Sequence, residues 1–474
     1  MTASPAVPRR TLQIALLVAA AFFMENLDGS VIVTALPQMA RSFGTDPVDL
    51  NIGVTAYMLA LTVFIPISGW MADRFGARNV FAGAVAGFTG ASILCGLCSG
   101  LWSFTACRIL QGLGGAMMMP VGRLVVLRAT ENRDRIRVIS YIVWPGLVAP
   151  VVGPPLGGFI TTYLSWRWIF FLNLPLGLLG IVLALKWIGG ERGAVARRFD
   201  LRGFLLCGAA CVLVTYGLEL LGRTPTPWLQ LAICLGAGSG LGALTVRHLR
   251  RARDPLLDFG ALRVPTYTMV MRGGSLFRIA ASGAPFLLPL MFQLGFGLDA
   301  LTSGLLVLAV FAGSLGMKAI STRMLRRYGF RRVLLWSGLL TALTLLGCAT
   351  FTRGTPYAVV AATLFLSGLT RSLQFSALNS LAFADISGEQ MSPANTLSNM
   401  AQQMTLGLGV TVAVLALRLS ELLHGGTEAT PSVTDFRSAF VVLAMIAAIS
   451  ALDALTLRRD AGALVSGHSV PPPR

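Results

Sequence analysis

Charged residues are scarce in this sequence. Only 12% of the 474 residues are Asp, Glu, Lys or Arg, whereas a soluble domain carries about 25%. Hydrophobic residues make up 55%, and the mean hydropathy is +0.72. Because a chain this apolar cannot cover a water-facing surface with polar groups, lipid must cover most of it. The composition therefore excludes an ordinary soluble protein and predicts an integral membrane protein.

Patterns of catalytic and metal-binding residues are also absent. The sequence has no Walker-type GxxxxGK[ST], no HExxH and no GxSxG. Its seven cysteines fall inside apolar runs, and the CxxC at Cys95 and Cys98 has no second pair nearby, so no metal site is expected. The net charge of +18 comes from arginines in short loops rather than from one basic stripe, so we expect no nucleic-acid partner. We expect neither an enzyme nor a bound cofactor.

Fourteen apolar runs are long enough to span a bilayer, which takes about 20 helical residues. The first run follows Arg9 and Arg10, lacks an Ala-x-Ala cleavage site and is therefore expected to be retained. The predicted spans are 12–36, 50–72, 80–100, 102–127, 137–162, 167–188, 201–222, 228–247, 268–294, 301–321, 332–352, 356–381, 396–419 and 436–457.

The basic residues predict the orientation of these spans. With both termini in the cytoplasm, 26 Arg and Lys residues lie in or beside cytoplasmic segments. Five lie on the opposite side: Arg41, Arg167, Arg223, Arg353 and Arg437. Since positive loops stay in the cytoplasm, we expect a multi-pass protein of the bacterial inner membrane with both termini cytoplasmic. An odd number of spans would invert every later loop and remove the asymmetry.

Two loops repeat each other at an offset of 253 residues. Asp73–Val80 and Arg326–Val333 share an arginine, an aromatic residue, a glycine, a second arginine and a valine. The repeat indicates two six-helix halves with two helices inserted between them, and transporters with such repeats bind substrate between the repeats. We predict an N-terminal half (1–188), two inserted helices with their linkers (189–262), a C-terminal half (263–460) and a disordered cytoplasmic tail (461–474).

Three motifs place small residues and charges at fixed spacings. In the loop after span 2, a glycine permits a positive φ, and an aspartate can cap a helix and pair with arginines across the two halves. The residues of this loop motif are Gly69, Asp73, Arg74, Gly76 and Arg78. In span 4, Arg108–Gly115 places an arginine among glycines that allow close helix contact.

The third motif lies in span 5. Ala149–Gly158 combines small residues with two consecutive prolines, which predicts a kinked, tightly packed helix that could act as a gate. Its conformational residues are Gly153, Pro154, Gly157 and Gly158.

These three segments resemble the signature loop, the buried-arginine motif and the antiporter motif of the major facilitator superfamily. Leu27–Pro37 and Trp166–Gly177 resemble the fourteen-span drug:proton antiporters of that superfamily (EmrB/QacA-type), although residues 30, 33 and 34 depart from their usual pattern. Gly115–Val121 and Arg198–Leu206 are similar to MdtD-like multidrug exporters. The resemblance covers nearly the whole chain. It implies an all-α integral membrane protein of the major facilitator fold with 14 transmembrane helices, and its antiporter motif implies export.

Three ionisable residues are expected near one another inside the membrane. Asp28 lies about 12 Å below the periplasmic end of span 1 and Arg108 about 10 Å below the same face, so they can pair. Burial and the arginine act in opposite directions on the protonation of Asp28, so a small rearrangement could load or release a proton. Glu25 lies three residues away on the same helix face. We predict that Asp28, Glu25 and Arg108 couple transport to protons; a static ion pair is the alternative.

Further polar residues in the spans are candidates for the substrate path. Arg278 is the repeat counterpart of Glu25, so both are expected to face a central cavity, and Arg371 is also deep. Each of the two arginines could contact substrate or instead satisfy backbone carbonyls. Gln402 and Gln403 in span 13 could line the cavity or bridge helices.

The sequence predicts a proton-coupled exporter of small lipophilic compounds or drugs. Because three buried arginines outnumber two central acids, export of one anionic metabolite, such as an organic acid or its metal chelate, stays open. A non-transporting receptor is less compatible, since the chain has no sizeable soluble domain. Expected partners are the lipid bilayer, protons and a small-molecule substrate. We expect a monomer, with other envelope efflux components as an open addition.

Overall fold

The structure, a computed structural model, describes residues 8–47, 49–130, 135–189, 199–220, 227–252, 257, 259–386, 390–423, 431–458 and 461–462. Every regular element within these ranges is helical. Apart from residues 461–462, the tail predicted to be disordered lies outside the described residues. The α-helices are α1 (Arg9–Phe43), α2 (Asn51–Phe64), α3 (Ser68–Phe75), α4 (Ala77–Leu97), α5 (Leu101–Arg128), α6 (Arg135–Tyr163), α7 (Trp168–Phe171), α8 (Asn173–Trp187), α9 (Leu201–Leu220), α10 (Trp228–Leu249), α11 (Pro265–Leu290), α12 (Ala300–Ala349), α13 (Tyr357–Leu381), α14 (Met391–Leu423) and α15 (Val433–Asp453).

Twelve helical segments of the described chain are long and apolar enough to cross a membrane. One of them, α12, has 50 residues, or about 75 Å at 1.5 Å per residue, more than twice the hydrocarbon thickness. It breaks at Gly329, whose backbone is not helical. The 29-residue α6 is not among the twelve, although it is long enough to span. An all-helical membrane fold is confirmed, and the count of fourteen spans stays a prediction.

The two repeated loops have the same backbone conformation. Gly76 has a φ of 85°, as its sequence context predicts, and its counterpart Gly329 has a φ of 72°. Both values lie in the region that favours glycine. Each glycine therefore redirects the chain between two spanning segments at the same place in its half.

The hydrophobic cores show how the two halves meet. We call the side that holds the end of α1 and the start of α12 the arginine-poor face. On this side one continuous cluster joins α1, α2 and α6 with α11, α12, α14 and α15. Toward the opposite, arginine-rich face, one cluster contains only residues of the N-terminal half and another only residues of the C-terminal half. The halves are thus joined most extensively at the arginine-poor face.

The inserted helices cover a seam between the halves. Cys207 and Cys211 of α9 belong to a small cluster with Met400 of α14, against which Leu59 and Val63 of α2 pack. Because α2 and α14 come from different halves, α9 contacts both of them.

Candidate functional site

Asp28 is the centre of a buried polar network in the N-terminal half. Its Oδ2 accepts a hydrogen bond from Arg108 Nη1 at 2.7 Å, which is also an ion pair. Its Oδ1 accepts from Gln111 Nε2 at 2.8 Å and from Asn173 Nδ2 at 3.0 Å. These groups come from α1, α5 and α8, so the network ties three helices together. The contact predicted between Asp28 and Arg108 is present.

Neighbouring groups complete this network. Arg108 Nη1 also donates to Gln111 Oε1 at 2.6 Å, and its guanidinium lies 4.1 Å from the centre of the Tyr57 ring. Asn173 donates to Ser92 Oγ at 2.9 Å. The Asp28 side chain is 0% exposed, so its carboxylate is held by donors and sealed from solvent. Sequence reasoning missed Gln111, Asn173 and Ser92, and polar side chains inside apolar runs were the available signal.

Glu25 has a different environment. It is buried one helical turn from Asp28, and its Oε2 has no hydrogen-bond partner in the described part of the chain. A side chain at Gly115 would lie 3.3 Å from Tyr57 Oη and 3.6 Å from Glu25 Oε1. The glycine therefore leaves room for the carboxyl group between α1 and α5. Its charged neighbours are Arg123 and Asp28. An unbonded, buried carboxyl oxygen is suited to the protonated state.

The small-residue motif brings α6 into backbone contact with α1. A Cβ at Gly157 would lie 2.6 Å from the carbonyl oxygen of Val31, and one at Gly153 would lie 2.8 Å from Ser30 Cβ. Real Cβ atoms do not approach other atoms this closely. Both glycines are thus required by the packing of α6 on α1, and Pro154 lies between them in the helix.

The same motif also contacts the C-terminal half. A Cβ at Gly158 would lie 2.8 Å from Leu301 Cα of α12. A Cβ at Gly304 would lie 2.8 Å from the carbonyl carbon of Pro154. The two helices therefore touch through their backbones at the arginine-poor face, and this contact closes that face.

Charged and polar side chains cross between the halves at the same face. Arg418 of α14 forms ion pairs with Asp46 at 2.8 Å and Asp49 at 3.1 Å, both in the segment between α1 and α2. It also pairs with Glu421 at 3.0 Å. Gln293 donates to the carbonyl oxygen of Thr34 at 3.1 Å. The sequence analysis had not singled out any of these side chains.

The loop motif after α2 differs from its prediction in two respects. Among the described residues, Asp73 pairs with Arg128 of α5 at 3.1 Å, within its own half rather than across the two halves. Asp73 also does not cap α4, whose N-terminus has no side-chain cap. Asp73 reaches Arg128 because α3, which carries Asp73, packs beside α5. Arg74 is exposed and Arg78 is half-buried, while a side chain at Gly69 would meet nothing within 4 Å.

The four cavity candidates of the C-terminal half lie on three helices, α11, α13 and α14. Arg278 is fully buried, and its three side-chain nitrogens have no hydrogen-bond partner among the described residues. Arg371 lies between the rings of Phe311 and Phe375, each 5.8 Å from its Cζ. Gln402 and Gln403 are half-buried on α14. Arg278 therefore does not reach solvent in this conformation, and its place beside a central cavity stays a prediction.

Comparison with known proteins agrees with this architecture. The sequence profile of the Major Facilitator Superfamily matches residues 18–410 of this chain. The chain belongs to the major facilitator superfamily. A relative from Escherichia fergusonii, which is named as a multidrug resistance protein, MdtD, is 36% identical over 438 residues, or 92% of each chain. A protein of the same name from Klebsiella pneumoniae is 36% identical over 456 residues, or 95% of each chain.

Solved structures of superfamily transporters share the fold. A D-xylose–proton symporter superimposes with a TM-score of 0.65 at 13% identity, over 95% of this chain and 98% of the symporter. A bacterial homologue of the human lysosomal transporter Spinster, in an inward-facing and unoccupied conformation, gives a TM-score of 0.64 at 14% identity, over 98% of this chain and all of that one. The chain is thus a multi-pass membrane transporter of this superfamily.

Proposed function

We propose that this transporter exports small lipophilic compounds across the bacterial inner membrane in exchange for protons. The names of its relatives, given for multidrug resistance, support this substrate class. The resemblance of Ala149–Gly158 to an antiporter motif supports export rather than uptake. The 26 basic residues on one side support an orientation with both termini cytoplasmic. The working unit is a monomer, which other envelope efflux components could join.

Glu25 is the group that carries the exchanged proton in this proposal. The supporting observation is the contrast between two carboxyl groups on one helix. Asp28 accepts three hydrogen bonds and pairs with Arg108, so both of its carboxylate oxygens are already engaged. Glu25 is buried, and its Oε2 has no hydrogen-bond partner among the described residues, so either protonation state is within reach when its surroundings change. Asp28 and Arg108 then act mainly by positioning α1 against α5.

Alternating access supplies the change of surroundings. With the arginine-rich face toward the cytoplasm, the shared core closes the periplasmic side and corresponds to an inward-facing state. Rotation of the halves would break the contact of Gly158 and Gly304 at that side. Because α1 carries both Glu25 and the residues packed on α6, movement of α6 would be transmitted to the carboxyl group. This gives a mechanical link between the gate and the proton site.

Export of an anionic metabolite is the alternative function. It is favoured by Arg278, which is buried without a hydrogen-bond partner in the described chain. A guanidinium in this environment is costly unless an anion pairs with it during the cycle. A substrate carboxylate would provide that charge.

Proteoliposomes with an acidic lumen test the proposal and its alternative. Protons leaving the lumen should drive uptake of lipophilic drugs by the reconstituted wild-type protein, and an ionophore that dissipates the pH gradient should abolish it. The panel includes organic acids, with and without divalent metal. Gradient-driven uptake of acids alone would favour the alternative. Absence of gradient-driven uptake for every compound would contradict proton antiport.

A further inference from the structure

A small cavity lies inside the C-terminal half, between α11, α12 and α13. Its lining includes Ala281, Val310, Leu345, Cys348, Ser367 and Arg371. The cavity has room for about one water-sized molecule. Apart from the guanidinium and two hydroxyl groups, its walls are apolar.

Arg371 brings a positive charge to this cavity with no anion beside it. Its guanidinium forms no ion pair with any described residue, and its Nη1 is buried without a hydrogen-bond partner. The rings of Phe311 and Phe375 are its neighbours. Their faces attract a cation, but Arg371 as a whole is half-buried, and it is the Nη1 on its buried side that these rings leave without a hydrogen-bond acceptor. The structure therefore leaves a charge that a ligand could neutralise.

The cavity corresponds to the place that the Asp28 network fills in the N-terminal half. At the repeat offset of 253 residues, four of its lining residues are the counterparts of residues in or around that network. Ala281 corresponds to Asp28, Val310 to Tyr57, Leu345 to Ser92 and Cys348 to Cys95. The cysteine is kept, whereas alanine, valine and leucine replace the aspartate, the tyrosine and the serine. A cavity thus remains where a carboxylate lies in the other half.

A pair of close helix contacts fixes the register of the remaining helix. A Cβ at Gly112 would collide with the carbonyl oxygen of Tyr57, and one at Gly368 would collide with that of Val310. Gly368 is therefore the counterpart of Gly112, and Ser367 that of Gln111. Since Gln111 donates to Asp28, Ser367 places a hydroxyl donor on the equivalent side of the cavity.

We propose that this cavity binds a small monovalent anion that takes the place of the carboxylate missing at Ala281. Arg371 donates to the anion, and Ser367 adds a hydroxyl donor. A halide ion has the required chemistry, because it carries one negative charge in about the volume of a water molecule. The bound anion completes a polar centre in the C-terminal half and stabilises the packing of α11 on α13. The site does not depend on which compound the protein exports.

Binding of radioactive chloride to the purified wild-type protein tests the site directly. We expect saturable binding that unlabelled chloride or bromide displaces and that formate and gluconate, which are both larger than the cavity, do not. Displacement by formate as complete as that by unlabelled chloride would contradict binding in this one-water cavity. Chloride binding no greater than that of empty detergent micelles would overturn the proposal.

Thermal unfolding provides a second test, in which a carboxylate introduced at position 281 takes the place of the bound anion. Chloride in place of gluconate, at equal ionic strength, should raise the wild-type Tm by about 2–4 °C. Ala281→Asp supplies a carboxylate to Arg371, so this variant should melt higher than wild type in gluconate and respond to chloride no longer. Ala281→Asn fills the same space without charge and serves as the control. Equal chloride responses in wild type and Ala281→Asp would contradict the assignment even if Ala281→Asn fails to fold.

Discussion

Replacing Gly304 with alanine is expected to open the arginine-poor face. A Cβ at this position would lie 2.8 Å from the carbonyl carbon of Pro154 and 3.2 Å from the nitrogen of Pro155. These are backbone atoms of α6, so no change of rotamer can relieve the overlap and the two helices must separate. Overpacking of this kind costs about 1–3 kcal/mol. Because α6 and α12 belong to different halves, only the state in which this face is closed bears the cost.

This cost translates into a change of population. A difference of about 1–3 kcal/mol shifts a two-state equilibrium by about 5–150-fold, here toward the state that is open at the arginine-poor face. Spin labels on cysteines introduced at Ser42 and Thr352, which are exposed at this face on different halves, report the shift as a longer distance in pulsed electron resonance. The half-buried Cys107 is replaced by serine in all samples.

Gly316→Ala is the matched control for this experiment. It lies on the same helix, but a side chain there would meet nothing within 4 Å, so the distances should remain those of wild type. If Gly304→Ala also gives the wild-type distance distribution, the contact between α6 and α12 does not hold this face closed, and the reasoning is refuted.

Three further predictions concern the gate, the polar network and the topology. Gly157→Leu should insert into the membrane but lose coupled export, because its side chain would meet the Val31 backbone. Gly87→Leu is the control and should retain export, since the space around Gly87 is open. Equal export by both variants would show that the motif serves only ordinary helix packing. Asp28→Asn leaves Arg108 buried without its ionic partner, which costs about 3–5 kcal/mol. The Tm of Asp28→Asn in detergent should therefore fall more than the Tm of Glu25→Gln. A larger fall for Glu25→Gln would contradict the different roles proposed for the two acids. A reporter active only in the periplasm should be silent when fused after Arg474, and activity there would contradict the fourteen-span topology.

The sequence was sufficient to predict the helical membrane fold and the contact between Asp28 and Arg108. Both follow from distances along a helix, because hydrophobic length sets the spans and depth sets which charges can meet. The positive φ of Gly76 was predictable for a similar reason, since a sharp turn between two spans favours glycine. These features depend on local geometry, which a sequence contains.

Features that depend on several helices at once were not predictable. Asn173 reaches Asp28 from a helix 145 residues away, and its position in an apolar run gave only a weak signal. The ion pairs of Arg418 with Asp46 and Asp49 join the ends of distant helices in different halves. Asp73 was expected to pair across the halves, but within the described chain its ion-pair partner is Arg128 of α5.

The cavity beside Arg371 illustrates a further limit. It exists because Ala281 lacks a carboxylate that its repeat counterpart has, and an absent group leaves no motif. The repeat offset relates the cavity to the network around Asp28 only once the lining residues are known, and the close contacts at Gly112 and Gly368 fix the register of the remaining helix.

Proton movement caused by substrate tests the central claim most directly. Proteoliposomes containing a pH-sensitive dye receive a pulse of an exported drug, and the change in luminal pH is recorded for wild type, Glu25→Gln and empty vesicles. We expect wild type to move protons opposite to the drug, and Glu25→Gln to exchange labelled drug for unlabelled drug without any change in luminal pH. A luminal pH change in Glu25→Gln equal to that of wild type would contradict the assignment of Glu25 as the proton carrier.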